Sequence, residues 1–291
     1  EIAERLTAAG PLYPGGIAKH QIMGRCYRTP GRILAAAHAI GMGLLRPGGM
    51  LYGVTTRRNW NLLGYDVEGE FRSGRRVTLT RRPDATPNIV HTLTRHDVLT
   101  FTTHPTRAEE IASTADAIRS DLMSGGLEAS RDLLVVVLGD HTAARNLQGE
   151  LARALAARGI DYFVPGATAP NVLRPKWPDT DPNLFWFDGA VTISTLHRAK
   201  GNEADVVYAL GFDEIARREA EPRYRNQAFV ALTRSRGFAH LSGVGDHPLF
   251  DEMRAVMAAG TRFEFTYRPP ERRFDELRGD LEDEATAARV P

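Results

Sequence analysis

The sequence has very little cysteine and no long hydrophobic segment. Cys26 is the single cysteine, which excludes an internal disulfide bond or a cysteine metal cluster and fits a reducing cytoplasm. No apolar run reaches the roughly 20 residues that cross a bilayer. Residues 1–5 also lack the basic and apolar parts of a signal peptide. We therefore expect a cytoplasmic protein with no membrane partner.

The sequence also lacks a charge excess and a metal-ligand pattern. The net charge is +1, so bulk charge gives no reason to expect nucleic-acid binding. The nine histidines show no ligand spacing, so we predict no metal site. Lysine is scarce, and the basic side chains are nearly all arginine. Arginine is the better bidentate partner of phosphate, but we attribute this bias to genomic base composition. The lysines are Lys19, Lys176 and Lys200.

What is present is a regular alternation of apolar strands and amphipathic helices. The run 133–138 is entirely apolar, as in a strand buried on both faces. Thr106 and Glu109 form a capping box at the start of a predicted helix. The alternation predicts an α/β fold with a parallel sheet and right-handed crossovers. The predicted strands are 98–103, 133–138 and 161–164, and the predicted helices are 106–122 and 142–157.

A glycine-rich segment, residues 47–88, differs in character from the rest. Its β-prone runs 65–71 and 75–80 flank a predicted hairpin turn. Its many arginines, together with Trp60 and Tyr65, are suited to stacking on single-stranded nucleic acid. A solvated hairpin face is the alternative, and we favour it.

Residues 191–211 carry the strongest functional pattern. The apolar runs 191–196 and 205–211 predict two neighbouring parallel strands, joined by the polar loop 197–203. Ligands bind at the carboxyl ends of strands in open parallel sheets, so this loop is a candidate site. An ordinary polar loop after a strand fits the pattern equally well. The residues of the loop that offer chemistry are His197, Lys200, Gly201 and Glu203.

Two further segments place arginines near the ends of predicted elements. Arg28 stands just before a predicted buried helix, where a helix N-terminus can meet an anion. A capping or surface arginine is the alternative there. The charged segment 214–225 is predicted to be exposed, and a helix is predicted over residues 226–235. Gln227 and Arg234 are two turns apart on that helix and so share a predicted face.

Taken together, these segments resemble three conserved motifs of superfamily 1 helicases of the UvrD/Rep type. Residues 25–34, Arg-Cys-Tyr-Arg-Thr-Pro-Gly-Arg-Ile-Leu, are similar to the fourth motif. Residues 192–203, Thr-Ile-Ser-Thr-Leu-His-Arg-Ala-Lys-Gly-Asn-Glu, are similar to the fifth, and residues 229–236, Phe-Val-Ala-Leu-Thr-Arg-Ser-Arg, to the sixth. The order and spacing of the last two make the resemblance specific. It implies the second RecA-like domain of an ATP-driven DNA translocase.

The resemblance also implies a role for individual residues in nucleotide binding. In this family two RecA-like domains hold ATP between them, and the first supplies the P-loop and the carboxylate that binds Mg²⁺. Arg28 and Arg234 match the arginines that stabilise charge on the transferring γ-phosphoryl group. Glu203 matches the residue that binds the nucleotide sugar, and Gly201 allows close approach of the backbone. We group Gln227 with these nucleotide-binding residues.

A second set of residues is implied in DNA binding. Thr195 and His197 match positions that face single-stranded DNA, where a hydroxyl group and a ring hold phosphate or sugar without reading sequence. Lys200 is grouped with them, although we expect it to anchor the loop across the domain cleft more than to touch DNA. The expected partner is therefore single-stranded or partly duplex DNA.

On this interpretation the chain has four parts. Residues 1–46 begin the second RecA-like domain and contain the fourth motif. Residues 47–95 form a glycine-rich β insertion or subdomain. Residues 96–262 are the main body with the fifth and sixth motifs, and residues 263–291 are a charged tail.

The sequence departs from the family pattern, most importantly in the nucleotide-binding loop. It contains no Gly-x-x-x-x-Gly-Lys-[Ser/Thr] sequence, and a P-loop does not work without that lysine and its backbone amides. We therefore expect ATP and Mg²⁺ to be held mainly by an N-terminal RecA-like domain of the intact protein, and this chain alone to be inactive. One alternative is a stand-alone RecA-like module that binds nucleic acid or a partner without its own ATPase. Another is a catalytically dead domain whose arginines form internal salt bridges.

Overall fold

The structure, a computed structural model, describes residues 12–13, 17–18, 24–90, 97–124, 126–166 and 184–270. The start of the first predicted part therefore lies outside the described residues, and so do residues 271–291 of the predicted tail. The first two strands, β1 (Leu12–Tyr13) and β2 (Ile17–Ala18), pair antiparallel with each other.

The main body is a six-stranded parallel sheet flanked by helices. Its strands are β5 (Leu99–His104), β6 (Leu133–Val137), β7 (Tyr162–Phe163), β8 (Val191–Thr195), β9 (Ala204–Leu210) and β10 (Ser235–Val244). They lie in the order β5, β10, β9, β6, β8, β7, and each neighbouring pair is parallel. This arrangement, with the small antiparallel sheet described below, confirms the predicted α/β architecture of a parallel sheet flanked by helices.

Helices cover both faces of the sheet because the side chains of each strand alternate between them. In β6, Leu134 and Val136 pack into one core, whereas Val135 and Val137 pack into the other. The first core contains α1 (Gly31–Met42), α7 (Pro222–Leu232) and α8 (Pro248–Ala259), and the second contains α3 (Arg107–Ser124) and α4 (His141–Ala156). The shorter helices are α2 (Arg57–Leu62), α5 (Leu196–Ala199) and α6 (Phe212–Ala216).

The prediction that the two apolar runs of residues 191–211 are neighbouring strands is wrong. Strand β6 lies between β8 and β9 and pairs with both. All five residues of β6 are buried, so this strand takes the centre, where both faces are covered. The loop 197–203 is also partly helical, since α5 occupies its first half.

Local sequence signals explain where two of the helices begin and end. The sequence predicts α1 over residues 33–45, but the helix ends at Met42 because Gly43 adopts a left-handed backbone with φ +72°. The capping bond predicted for Thr106 is present at the start of α3, where its hydroxyl accepts a hydrogen bond from the backbone N–H of Glu109 at 3.3 Å and donates to the Glu109 carboxylate at 3.2 Å.

Helix α7 is displaced towards the N-terminus from its predicted range, 226–235. Proline suits the first helical position, and the helix begins at Pro222 and ends at Leu232. Arg234 therefore lies beyond the helix, so the prediction that it shares a helical face with Gln227 is wrong.

The predicted β insertion forms a three-stranded antiparallel sheet with a strand from much later in the chain. The hairpin of β3 (Tyr65–Gly69) and β4 (Arg76–Arg81) is joined by β11 (Arg262–Thr266), which pairs with β4. The predicted boundary at residue 262 thus falls within a strand. Trp60 and Tyr65 are fully buried in the core that contains α1, so they cannot stack on a nucleic acid.

Arg225 corrects the expectation that residues 214–225 are exposed. Its side chain is 0% exposed, and it donates to both carboxylate oxygens of Glu252 in α8, at 3.0 and 2.8 Å. It also donates to the carbonyl oxygens of Ile40 in α1 and Glu219, at 3.0 and 2.7 Å. A buried arginine is tolerated when its charge is paired and its N–H groups are bonded. Arg225 therefore ties α1, α7 and α8 together.

We expect the substitution Glu252→Ala to lower the free energy of unfolding by about 3–5 kcal/mol, because it removes the carboxylate that binds both terminal nitrogens of the buried Arg225 and leaves only Glu219, at 3.5 Å. Urea unfolding of the purified protein measures this. The matched control is Asp251→Ala, since Asp251 pairs with Arg254 at the surface, with side chains 77% and 49% exposed. That change should cost about 0–1 kcal/mol. Equal losses for the two variants would contradict the structural role of Arg225.

His38 forms a second buried polar contact, between α1 and the small sheet. Its Nδ1 lies 2.8 Å from the hydroxyl oxygen of Tyr65 in β3. The Arg81 guanidinium lies 5.2 Å from the centroid of the Tyr65 ring. Burial, assisted by the charge of Arg81, lowers the pKa of His38 from 6.5 to about 3. His38 is therefore neutral in the folded protein at neutral pH.

This pKa predicts a loss of stability in acid. Between pH 6.5 and about 3 the unfolded chain binds a proton at His38 that the folded protein does not. The free energy of unfolding should therefore fall with falling pH, by up to about 1.4 kcal/mol per pH unit. Unfolding of His38→Gln, which keeps a polar partner for Tyr65, should show a flatter pH dependence between 6.5 and 4. The exposed-site control His141→Gln should follow the wild type, and parallel curves for all three proteins would refute the assignment.

Candidate functional site

Three of the predicted site residues meet at one edge of the parallel sheet. Glu203 directly precedes β9 and Arg234 directly precedes β10. These strands are neighbours, with Ala204 paired to Ser235, and the Ala204 N–H donates to the carbonyl oxygen of Arg234 at 3.1 Å. Both residues therefore lie at the amino ends of the strands, and the side chain of Arg28 reaches the same edge.

This placement corrects the expectation that the whole loop 197–203 lies at the carboxyl ends of strands. A connection between two parallel strands leaves from the carboxyl edge and must return to the amino edge. Thr195 ends β8 at the carboxyl edge, α5 follows, and Glu203 is reached at the opposite edge. One segment of nine residues, 195–203, thus spans the sheet from edge to edge.

Arg28 is held beside Glu203 by its side chain and by the loop that precedes α1. Its Nη1 lies 3.1 Å from Oε2 of Glu203, and each side chain is 36% exposed. The buried Thr29 donates through its hydroxyl group to the carbonyl oxygen of Thr233 at 3.4 Å, which docks the loop on the end of α7. Nε of Arg28 is buried and has no hydrogen-bond partner among the described residues.

The guanidinium group of Arg234 is half-buried at the same edge. Its Nε donates to the carbonyl oxygen of Val230 at 3.1 Å, and its Nη1 to that of Asn202 at 3.4 Å. Burial lowers the pKa of Arg234, the positive charge of Arg28 lowers it further, and Glu203 opposes both. The two arginines are therefore close enough to repel each other through a partly dry environment.

The site has more positive than negative charge. Arg236 joins it, with Nε 2.8 Å from Oδ1 of Asp205 and Nη1 3.9 Å from Oε1 of Glu203. Three arginines thus face two carboxylates, Glu203 and Asp205. Such an excess of arginine favours an anion with several oxygen atoms, such as a phosphate group.

The residues predicted to face DNA lie at the other end of the segment 195–203. Thr195 is half-buried at the carboxyl end of β8, and His197 and Lys200 are exposed. The buried residues Leu196 and Ala199 anchor α5 in the core and leave the polar side chains outside. Thr195, His197 and Lys200 are close to one another because they are close in the sequence. The structure does not place them beside Arg28 and Arg234.

Gln227 is not brought together with the arginine cluster. Its Oε1 accepts a hydrogen bond from the backbone N–H of Gly139 at 2.9 Å, and Gly139 follows β6 at the carboxyl edge. Helix α7 runs from that edge towards the amino edge and ends at Leu232, about 7.5 Å along the axis from Gln227, and Arg234 lies beyond that end.

Buried ion pairs close the carboxyl edge of β9 and β10. Arg107 donates to the buried carboxylates of Glu110 and Asp213, the latter at 2.7 Å. Glu110 also accepts from the N–H of Gly211 at 3.1 Å and from the hydroxyl of Ser242 at 2.6 Å. At β9 and β10 the carboxyl edge, where α/β sheets usually bind ligands, is therefore filled by a satisfied internal network.

From the sequence alone no function is assigned to two residues that the structure places at the amino edge, Tyr27 and Arg236. Tyr27 is 68% exposed beside Arg28, and a large exposed ring next to a cation is the signal that marks it. Arg236 lies two residues beyond Arg234, near the start of β10. Its place in the same segment as Arg234, the one similar to the sixth motif, could have indicated that both arginines reach one site.

Within the described ranges, no group of three or more histidine, cysteine, aspartate or glutamate side chains is arranged to hold a metal ion. The helices of the same ranges include none with the length and hydropathy needed to span a bilayer.

The comparisons with known proteins support the resemblance over the central part of the chain. Residues 190–242, from the start of β8 into β10, match the family described as the UvrD-like helicase C-terminal domain. This range contains the segments similar to the fifth and sixth helicase motifs, and the resemblance is confirmed there. It does not reach Arg28. No curated protein matches the chain.

One solved structure with a similar chain is described as the C-terminal domain of a possible DNA helicase from Lactobacillus plantarum WCFS1. It shares 15% sequence identity with this chain at a TM-score of 0.38, and the alignment covers 58% of this chain and 91% of that one.

Proposed function

We propose that this chain, whose residues 190–242 match the UvrD-like helicase C-terminal domain, is the second RecA-like motor domain of an ATP-dependent DNA helicase or translocase. The observation that carries the proposal is the convergence of Arg28, Glu203 and Arg234, from three separate segments, at one edge of the sheet. A single cysteine is in keeping with work in the cytoplasm.

The two arginines would act on the phosphate groups of ATP. The cluster has an excess of positive charge, and the buried Nε of Arg28 has no hydrogen-bond partner among the described residues. Both features suit an incoming phosphate. In a cleft closed by the first motor domain, Arg28 and Arg234 would stabilise the negative charge that builds on the γ-phosphoryl oxygens.

Glu203 and Gly201 would serve the sugar of the nucleotide. In the present arrangement Oε2 of Glu203 pairs with Arg28. An Arg28 side chain that turns to phosphate frees this oxygen to accept a hydrogen bond from a ribose hydroxyl group. Gly201 has φ +88° and open space where a Cβ atom would stand, so nucleotide or backbone can approach it closely. The exposed ring of Tyr27 offers a face for the base.

Gln227 stays a predicted nucleotide-binding residue, but its bond to Gly139 means that it would reach a nucleotide only from the carboxyl edge. We propose that ATP and Mg²⁺ are held mainly by an N-terminal RecA-like domain, with its P-loop and acidic residues. The Mg²⁺ ion would neutralise phosphate charge there, while this chain supplies arginine.

The opposite edge of the sheet would hold single-stranded or partly duplex DNA. The hydroxyl group of Thr195 and the ring of the exposed His197 suit contacts with phosphate and sugar, which carry no sequence information. Lys200 lies further along the same segment and would anchor it across the domain cleft. The segment 195–203 then connects the DNA-binding edge to the nucleotide-binding edge.

The first test of this proposal is Arg234→Ala in the full-length protein that contains the first motor domain. We expect DNA-stimulated ATP hydrolysis to fall by roughly 10³-fold, because charge on the transferring phosphoryl group loses its arginine. The dissociation constant for single-stranded DNA should stay within about 3-fold of the wild type. The matched control is Arg254→Ala, an exposed arginine of α8, which should leave the turnover rate unchanged.

Two outcomes would contradict this assignment in different ways. Unchanged ATP hydrolysis in Arg234→Ala would mean that the arginine has no role in the reaction. A full-length wild-type protein that binds DNA but hydrolyses no ATP would instead favour a binding module without its own ATPase.

The second test addresses the DNA-binding edge through the double substitution Thr195→Ala, His197→Ala. We expect it to weaken binding of oligo(dT) and oligo(dA) by the same factor, about 10-fold, because the lost contacts are to phosphate and sugar. Fluorescence anisotropy at several salt concentrations measures the dissociation constants. ATP hydrolysis without DNA should be unchanged. Lys200→Ala should weaken binding less, and an equal effect of His141→Ala would argue against a specific track.

A further inference from the structure

Three loops meet at the amino edge of the sheet around one half-buried side chain, Asn88. Its Nδ2 donates to the carbonyl oxygen of Arg28 at 2.5 Å and to that of Arg236 at 2.8 Å. Its Oδ1 accepts from the backbone N–H of Val90 at 3.0 Å. The two N–H donors and the carbonyl acceptor of the amide are thus all in use.

These bonds connect the two segments that carry the arginine pair. Arg28 is bonded through its own carbonyl group, and Arg236 is two residues from Arg234 at the start of β10. The side chain of Arg236 in turn contacts Asp205 at 2.8 Å and lies 3.9 Å from Glu203. The side-chain amide of Asn88 therefore links the backbone of Arg28 to the backbone of Arg236, two residues from Arg234.

Asn88 also fixes where the small sheet joins the main body. It follows β4 and the short helical turn Pro83–Ala85, and the backbone N–H of Cys26 donates to the carbonyl oxygen of Ala85 at 2.9 Å. The loop before Arg28 is thus held by two neighbouring points of this connection.

From this geometry we infer that Asn88 is a positioning residue for ATP hydrolysis. Its amide sets the separation between Arg28 and Arg234, so that both guanidinium groups reach the same phosphoryl group. Asn88 itself does not touch the nucleotide. The inference rests on the proposed function, because it needs both arginines to act on phosphate.

The decisive substitution is Asn88→Asp. It preserves the size of the side chain but replaces both N–H donors with a carboxylate oxygen that faces two carbonyl oxygens, so the bonds become repulsive. Misplacement of a catalytic group by about 1 Å costs about 10²-fold in rate. We therefore expect kcat of the full-length protein to fall by about 10- to 100-fold. KM for ATP and the dissociation constant for single-stranded DNA should change by less than about 3-fold.

A double-mutant cycle separates positioning from a general loss of structure. If Asn88 acts through Arg28, Asn88→Asp should lower kcat by less than about 2-fold in an Arg28→Ala background. Asn88→Ala removes the same bonds without adding charge and serves as the second variant if Asn88→Asp does not fold. Thermal melts verify folding. The control Asn61→Asp makes the same chemical change at an exposed asparagine of α2, beside the small antiparallel sheet.

The outcomes distinguish this inference from the proposed function. Unchanged kcat in Arg28→Ala and Arg234→Ala would overturn the proposed function, and the positioning role with it. If those arginine variants are impaired but Asn88→Asp and Asn88→Ala turn over normally, only the role of Asn88 is wrong. Additive losses in the cycle would equally reject positioning through Arg28.

Discussion

The buried side chain of Arg225 sets the arrangement on which the amino edge depends. It joins α7 to α1 through the carbonyl oxygen of Ile40 and to α8 through Glu252. Helix α1 begins three residues after Arg28, and α7 ends two residues before Arg234. Because the same guanidinium group holds both helices, the two candidate phosphate-binding arginines emerge from one rigid body. Compared with an apolar contact such an ion pair adds little net stability, but the loss of one partner is costly, so the three helices are held together by it.

The segment 195–203 gives the two edges of the sheet a direct covalent connection. Its first residues lie at the carboxyl edge and Glu203 lies at the amino edge. Leu196 and Ala199 are buried beneath it, so the segment cannot slide without disturbing the core. On the proposed function, a displacement of the DNA-binding end of the segment would move Glu203 and, through their ion pair, Arg28. The short helix α5 makes this connection stiffer than the predicted loop.

Patterns of local sequence predicted much of the fold, because strands, helices and caps depend on nearby residues. The apolar run of β6 and the capping threonine of α3 needed no knowledge of distant contacts. The order of the strands does depend on distant contacts, since nothing in the runs 191–196 and 205–211 shows that β6 inserts between them. The burial of Arg225 was also missed, because only the structure reveals that Glu252 is its partner. The motifs marked Arg28, Glu203 and Arg234 as candidate nucleotide-binding residues, whereas Asn88 bonds to backbone carbonyl groups, which leave no signature in sequence.

The pairing of β11 with β4 has a consequence for the order of events during synthesis of the chain. About 180 residues separate the two strands, so β4 has one open edge on the growing chain until β11 has been made. At 5–20 residues per second this interval lasts about 10 to 40 s. An unpaired strand edge can template pairing with another chain. The exposed arginines along β4 and its hairpin, such as Arg75 and Arg76, place charge on the nascent hairpin and oppose such association while the ribosome completes the domain.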